Sequence, residues 1–250
     1  MSSNTNVLIT GVNRGIGRGF LNTFLSRPNH TVIGSVRDLS APAVSELRAI
    51  TPAEGSRLVL VKIESSNLSD PAEAVRQLQA DGIDTLDIVI ANAGITGTQG
   101  PIATVDLEDT RKVFEVNTLG PTALFLATRP LLERAANPKW LSISTLLASI
   151  GRLHTIIEWP SLSYGTSKAA LNFVTQSIHV WHEKITAISV HPGGVDTDML
   201  KASGKFFGLP EGIGATVESS VADIVKILDV ATRADHSGKF FSHDGTIIPW

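Results

Sequence analysis

The stretch TGVNRGIG, residues 10–17, directly follows the apolar run Val7-Leu8-Ile9. Gly11, Gly15 and Gly17 fall where a short strand ends and a helix should begin. Such a turn brings backbone close to a pyrophosphate and aims helix N-terminal amides at it. Within the turn, Asn13, Arg14 and Ile16 join the three glycines as candidate cofactor contacts. A plain βα loop would use the same glycines for positive φ angles alone. Position behind the first strand favours the nucleotide site.

Outward from this turn, strand-like and helix-like runs alternate. The predicted strands are 7–10, 31–36, 57–63, 86–94, 139–144, 185–193 and 238–243. They are rich in Val and Ile and mostly apolar on both faces, as parallel strands between two helix layers are. The predicted helices are 15–27, 41–50, 70–81, 108–135, 163–183 and 217–232. This alternation predicts an α/β fold: a doubly wound, mostly parallel seven-stranded sheet of the Rossmann type. Residues 1–250 read as one domain, with long connections at 150–162 and 198–216. Both follow strand carboxyl ends, where open α/β sheets bind ligands, so 198–216 is the expected substrate loop.

Composition narrows the function. The chain has 250 residues, 42% of them apolar, with a formal net charge of −3, and it contains no cysteine. A basic footprint for nucleic acid is missing, as are disulfides and thiolate metal sites. The seven histidines form no HxxxH pair, so no metal is expected. The polar opening MSSNTN is unlike a signal peptide, and no apolar run reaches the length of a membrane span. A soluble cytoplasmic protein is expected, free of nucleic acid and membrane and associating as a homo-oligomer.

Arg14 and Arg37 speak to cofactor choice. The second strand ends VIGSVRD, beside the expected adenosine ribose. A carboxylate there would hold a free 2′-hydroxyl, whereas arginine suits a 2′-phosphate. Arg14 and Arg37 together predict NADP(H). Asp38 opposes this, since it can pair with Arg37.

Four further motifs follow in order: ANAG (91–94), VNTLGP (116–121), YGTSK (164–168) and HPGGVDTDM (191–199). Together with TGVNRGIG, this series resembles the short-chain dehydrogenase/reductase family along nearly the whole chain. SISTLLASI and the stretch DGTIIPW are similar to fungal norsolorinic acid ketoreductase-like enzymes. The resemblance implies an NADPH-dependent carbonyl reductase acting on a small-molecule ketone or alcohol, with an aromatic polyketide as one candidate. A non-catalytic NADP(H) sensor or scaffold on the same fold is the alternative, because fold does not imply activity.

Tyr164 and Lys168 are four residues apart, which puts them on one helix face. Lowering a tyrosine from a pKa of about 10 to near 7 takes roughly 4 kcal/mol. A nearby ammonium and the oxidised nicotinamide can supply that field. The resemblance makes Tyr164 the proton donor and Lys168 its activator and ribose ligand. It also calls for a hydroxyl to polarise the carbonyl. Thr145 aligns there, with Ser144 adjacent and Ser149 a third candidate. Asn117 matches the asparagine whose helix distortion positions a water near the lysine.

For the cofactor, the resemblance adds Asn92, Ala93 and Gly94, and Pro192, Gly193, Val195 and Thr197 beside the nicotinamide carboxamide. Glu64 either accepts from the adenine amino group or is simply exposed. His191 reads as packing or solvated. Ile157, Trp159, Phe206, Phe207 and Leu209 either line an apolar substrate pocket or pack the loops onto the core.

Overall fold

Seven parallel strands run in the order β3-β2-β1-β4-β5-β6-β7 in a computed structural model that describes residues 4–210 and 212–250. They are β1 (Thr5–Thr10), β2 (His30–Val36), β3 (Arg57–Lys62), β4 (Ile88–Ala91), β5 (Lys139–Ile143), β6 (Thr186–His191) and β7 (Lys239–Ser242). The order reverses between β1 and β4, both central, and opens a crevice at their carboxyl ends.

Successive side chains of each central strand enter different cores. Val7 and Ile9 of β1 and Ile88 and Ile90 of β4 pack with Phe20, Phe24 and Leu228 on one face. Leu8, Val89 and Ala91 pack with Leu78, Phe125 and Trp140 on the other. The first face is covered by α1 (Gly15–Leu25), α2 (Pro42–Arg48) and α8 (Val217–Val230). Across the sheet lie α3 (Asp70–Ala80), α5 (Gly120–Leu132) and α6 (Leu162–Trp181), with α4 (Leu107–Phe114) packed on α6. Burying apolar surface on both faces is the main driving force for this three-layer, single-domain Rossmann-type architecture.

Two expected outlines change. The predicted helix 108–135 is α4 and α5 joined by a π-helical turn, Glu115–Leu119. Pro121 has no N–H for the Asn117 carbonyl four residues earlier, which interrupts the α-helical ladder there. The Gly120 amide reaches instead to the Glu115 carbonyl, five residues back. The stretch 198–216 is not a loop throughout. It begins with α7 (Asp198–Phe207), capped by the Thr197 hydroxyl, which accepts from the Leu200 amide, and ended by Gly208 at φ +67°. Glu211 in that stretch lies outside the described residues. The connection after β5 holds two 3₁₀ turns, Leu146–Ala148 and Ile150–Thr155.

Candidate active site

The glycine turn is shaped by what surrounds it. Gly11 has φ +73°, and a Cβ there would meet that of Ala93 at 3.2 Å. A Cβ on Gly17 would overlap the Gly11 carbonyl oxygen and lie 2.5 Å from Asn92 Nδ2. These glycines let three chain segments meet at the crevice. Among the described residues, no side chain caps α1 and its first turn holds no acidic residue. Its leading amides therefore face the crevice as a ready anion site. Asn92 ties the crevice floor together: Nδ2 donates to the Thr10 carbonyl at 2.8 Å, and its backbone N donates to Thr10 Oγ1 at 3.0 Å. Ala93 N shares that hydroxyl.

The two arginines behave differently. Arg37 and Asn13 are exposed at the rim, while Ile16 packs partly against the core. Asp38, expected to compete for Arg37, turns away, and its Oδ1 accepts from the backbone N and Oγ of Ser40. These bonds hold its carboxyl below the usual range. Arg14 is paired instead: Nη1 donates to Asp198 Oδ2 at 2.7 Å. Asp198 opens α7, so the bond joins the glycine turn to the substrate-side helix across the crevice. A separation of 184 residues hides this partner from sequence reading. Glu64 is half-buried, and its Oε1 accepts from Ser66.

Tyr164, Lys168 and Asn117 come together where β4, β5, α6 and the π-turn meet. Lys168 is buried, and Nζ donates to the Ile143 carbonyl at the end of β5, 2.8 Å away. Nζ lies 5.9 Å from the centre of the Tyr164 ring. A Cβ at Gly94 would sit 3.3 Å from Lys168 Nζ and 3.1 Å from Asn117 Oδ1, so glycine leaves room for both. Asn117 Oδ1 accepts from Ile95 N at 2.9 Å. Its Nδ2 donates to the Ile95 carbonyl at 2.8 Å and to Ser167 Oγ at 3.0 Å. These bonds pin the loop after ANAG to α6. Ser167 is a partner the sequence reading missed, although it stands inside YGTSK.

Burial dominates the ionisation of the pair. Tyr164 is pushed up to about 12 and Lys168 down to about 8, both by desolvation. The lowering expected for Tyr164 from the ammonium together with the oxidised nicotinamide has to work against this desolvation. The buried environment disfavours tyrosinate and ammonium alike.

Three hydroxyls were candidates at the end of β5. Ser144 shares the strand face of Ser142, whose hydroxyl meets Thr175 of α6. Ser144 is buried, and its Oγ finds no partner among the described residues. Ser149 is committed elsewhere: Oγ donates to the Pro249 carbonyl at 2.5 Å. Thr145 Oγ1 accepts from Leu147 N at 3.3 Å, which leaves its proton free to donate.

The nicotinamide-side segment is also fixed by local bonds. Ser220 Oγ donates to the Pro192 carbonyl at 2.7 Å, and Val195 is buried and bridged to Ala215. Gly193 has φ +81° with His243 against it. Thr197 lies within contact range of Gly15. His191 is pushed down to about 4, first by burial and then by His243, and stays neutral at neutral pH.

On the substrate side, Trp159 meets Phe207 with ring centres 5.3 Å apart, and Phe206 meets Phe207 edge-on at 5.0 Å. Ile157 stays exposed, and Leu209 closes the end of α7 through its amide to the Gly204 carbonyl. Gln99 was not foreseen. Its Oε1 accepts from Ser161 Oγ at 2.5 Å, and its Nε2 donates to Ser203 Oγ at 3.4 Å, so it bridges the 150–162 connection and α7. Nothing in its neighbouring sequence signals that role.

The chain is similar to known proteins along nearly its whole length. The short chain dehydrogenase family model matches residues 5–206. Short-chain dehydrogenase srdF of Neurospora crassa is 44% identical, covering 100% of this chain and 99% of its own. Norsolorinic acid ketoreductase of Aspergillus parasiticus is 37% identical, covering 97% of this chain and 90% of its own. NADPH-bound carbonyl reductase from chicken fatty liver superposes with a TM-score of 0.88 at 30% identity, over 99% of this chain and 95% of that one. The glycine turn, the Tyr164–Lys168 helix face and the π-turn at Asn117 thus lie in a chain that belongs to the short-chain dehydrogenase/reductase family, oxidoreductases that bind a nicotinamide cofactor.

Proposed function

We propose that this protein is an NADPH-dependent ketoreductase with Tyr164 as proton donor. The observation that carries the reading is the gathering of Tyr164, Lys168 and Asn117 around Gly94 at the carboxyl edge of the sheet. When bound, the nicotinamide supplies the hydride.

The chain's own residues do the rest. Thr145 donates a hydrogen bond from its hydroxyl to the substrate carbonyl oxygen, keeping its own proton, and holds that oxygen beside Tyr164. Tyr164, half-buried and protonated at neutral pH, gives that oxygen its phenolic proton. Lys168 spends one N–H on the Ile143 carbonyl, and its remaining N–H groups would hold the ribose hydroxyls of a bound cofactor. Its charge eases the loss of the tyrosine proton. Asn117 keeps the ANAG loop, and through it the nicotinamide floor, against α6.

Arg37 and Arg14 hold the 2′-phosphate, and the withdrawal of Asp38 toward Ser40 supports that assignment. Two screened guanidinium contacts give NADPH a preference of about 2–4 kcal/mol, or roughly 30- to 1000-fold. Trp159, Phe206 and Phe207 offer flat apolar surface to an aromatic ketone, a substrate class favoured by the likeness to norsolorinic acid ketoreductases. Two copies associate through the α5–α6 face, where Leu126, Phe173, Val180 and Trp181 are exposed.

NADPH oxidation against a panel of aryl and alkyl ketones tests the reaction. Tyr164→Phe should abolish turnover with NADPH binding nearly intact. A Tyr164→Phe protein that keeps most of its activity would remove the tyrosine from this role. Arg37→Ala should weaken NADPH far more than NADH, and equal affinities in the wild type at low salt would defeat the arginine assignment.

A further inference from the structure

The substrate connection is held at its near end by a part of the chain about 100 residues away. After β7 the backbone doubles back. Ser242 N donates to the Thr246 carbonyl at 2.8 Å, and Ile248 N donates to the Phe240 carbonyl at 2.8 Å. Ile248 is buried, and the Trp250 ring stacks on Phe240 at 5.6 Å and 20°. This fixes residues 246–250 against the edge strand of the sheet. Their outer side then grips the 3₁₀ turns after β5. Ser149 Oγ donates to the Pro249 carbonyl at 2.5 Å, and Gly151 N donates to the Trp250 oxygen at 2.9 Å.

The gripped turns are themselves wedged against the catalytic helix. A Cβ on Gly165, next to Tyr164, would meet the Leu147 carbonyl oxygen at 2.8 Å. Thr145 begins this same segment, and its hydroxyl is oriented by Leu147 N. The 145–151 segment therefore sits between α6 on one side and residues 249–250 on the other.

We propose that residues 246–250 form a positioning strap that sets the distance between the Thr145 hydroxyl and Tyr164 and fixes the near wall of the substrate pocket, with Trp250 and Ser149 as its two anchors. Neither anchor touches the reacting atoms. Trp250 acts through Phe240 and Gly151, and Ser149 acts through Pro249. The inference rests on the ketoreductase reading for its kinetic consequence and on the contacts alone for its structural one. Small displacements of a catalytic group cost much more rate than stability, because reaction needs near-attack geometry.

The test compares Trp250→Ala, Trp250→Phe and Ser149→Ala with the wild type. Trp250→Ala should lower ketone kcat/KM by about 10- to 100-fold, the scale of a misplacement near 1 Å, while leaving the NADPH Kd unchanged. Ser149→Ala should do the same to a smaller extent. Trp250→Phe, which keeps a ring on Phe240, should recover most of the loss. In hydrogen exchange with NADPH bound, Trp250→Ala should raise the rates of amides 146–152 and leave β1 and β4 as they were.

Unchanged exchange at 146–152 overturns the strap. So does an equal loss of NADPH affinity, which would mark general loosening. If Trp250→Ala does not fold, Ser149→Ala carries the same two readouts, since its side chain is deleted to a methyl without disturbing the stack. A wild type that reduces no ketone would remove the proposed reaction and leave the exchange rates to decide the strap.

Discussion

Thr145, Ser144 and Ser149 differ in where their hydroxyl protons can go. Ser149 gives its proton to the Pro249 carbonyl, and Ser144 is closed in beneath α6. Only Thr145 has both a fixed acceptor geometry and a free proton at the crevice. Thr145→Val should therefore cost about 2–4 kcal/mol of transition-state stabilisation, the usual loss for one oxyanion donor, whereas Thr145→Ser should stay active. Steady-state kinetics on one ketone checks this, and a harmless Thr145→Val beside a crippled Ser144→Ala would reassign the hydroxyl. Lys168 makes a second residue-scale prediction. Unfolded, it titrates at 10.5; folded, burial brings it to about 8. Between those values the unfolded chain binds the extra proton, so this group makes stability rise with pH across 8 to 10.5. Tyr164 works in the opposite direction above 10, where the unfolded phenol ionises before the folded one. Lys168→Met should gain up to about 3 kcal/mol at pH 7, and the gain should vanish as pH approaches 10.5. Urea unfolding at several pH values measures it, and a pH-independent difference would refute the assignment to burial of charge.

At the scale of elements, the strands were legible because the inner ones are buried on both faces, which leaves mostly apolar runs rich in Val and Ile. The helix α7 was missed because Gly204 within it and the glycines that follow it make the stretch read as loop, yet its Thr197 cap, the acidic Asp198 in its first turn and the left-handed Gly208 are helix boundary signals. A helix distortion at Asn117 was implied by the resemblance, and Pro121, read against the carbonyl four residues before it, supplies the physical cause of the π-turn. The motif residues Tyr164, Lys168 and Asn117, far apart in sequence, lie close together in the fold. Contacts that cross the fold, such as Arg14 with Asp198 and Ser149 with Pro249, leave no local trace. Gly120 shows how an element's irregularity is enforced from outside. A Cβ there would meet the Ser65 carbonyl oxygen at 2.6 Å, a backbone atom that cannot swing away. Gly120→Ala should cost about 1–3 kcal/mol through overpacking and should lower activity further by shifting Asn117. Denaturant midpoints with parallel kinetics test this; a wild-type midpoint would show that the π-turn tolerates the extra carbon.

Across the whole molecule, the exposed apolar stripe on α6 is the feature with consequences for assembly. Phe173, Val180 and Trp181 lie on one helix face and are exposed, as is Leu126 of α5. On the proposed reading these exposed apolar side chains form the contact between two copies. Phe173→Asp with Trp181→Glu should convert a dimer to a monomer in sedimentation velocity without unfolding the chain. A wild type that sediments as a monomer at high concentration would rule out this interface. Among the described residues, no helix is long and apolar enough to cross a membrane.

The pairing of Arg14 with Asp198 also bears on how ionic strength acts on this protein. Both side chains are 67% exposed, so the bond itself contributes little to stability. Its effect lies in exchange: on the proposed reading, Arg14 gives up a carboxylate when it takes a phosphate. Added salt weakens the bond that is lost as well as the one that is gained. The logarithm of NADPH affinity should then fall with the logarithm of salt concentration less steeply than two unpaired guanidiniums would dictate. Asp198→Asn removes the competing anion. It should tighten NADPH at low salt, leave NADH nearly unchanged and steepen the salt dependence, whereas identical slopes for both proteins would mean that Arg14 binds its phosphate without ever leaving Asp198.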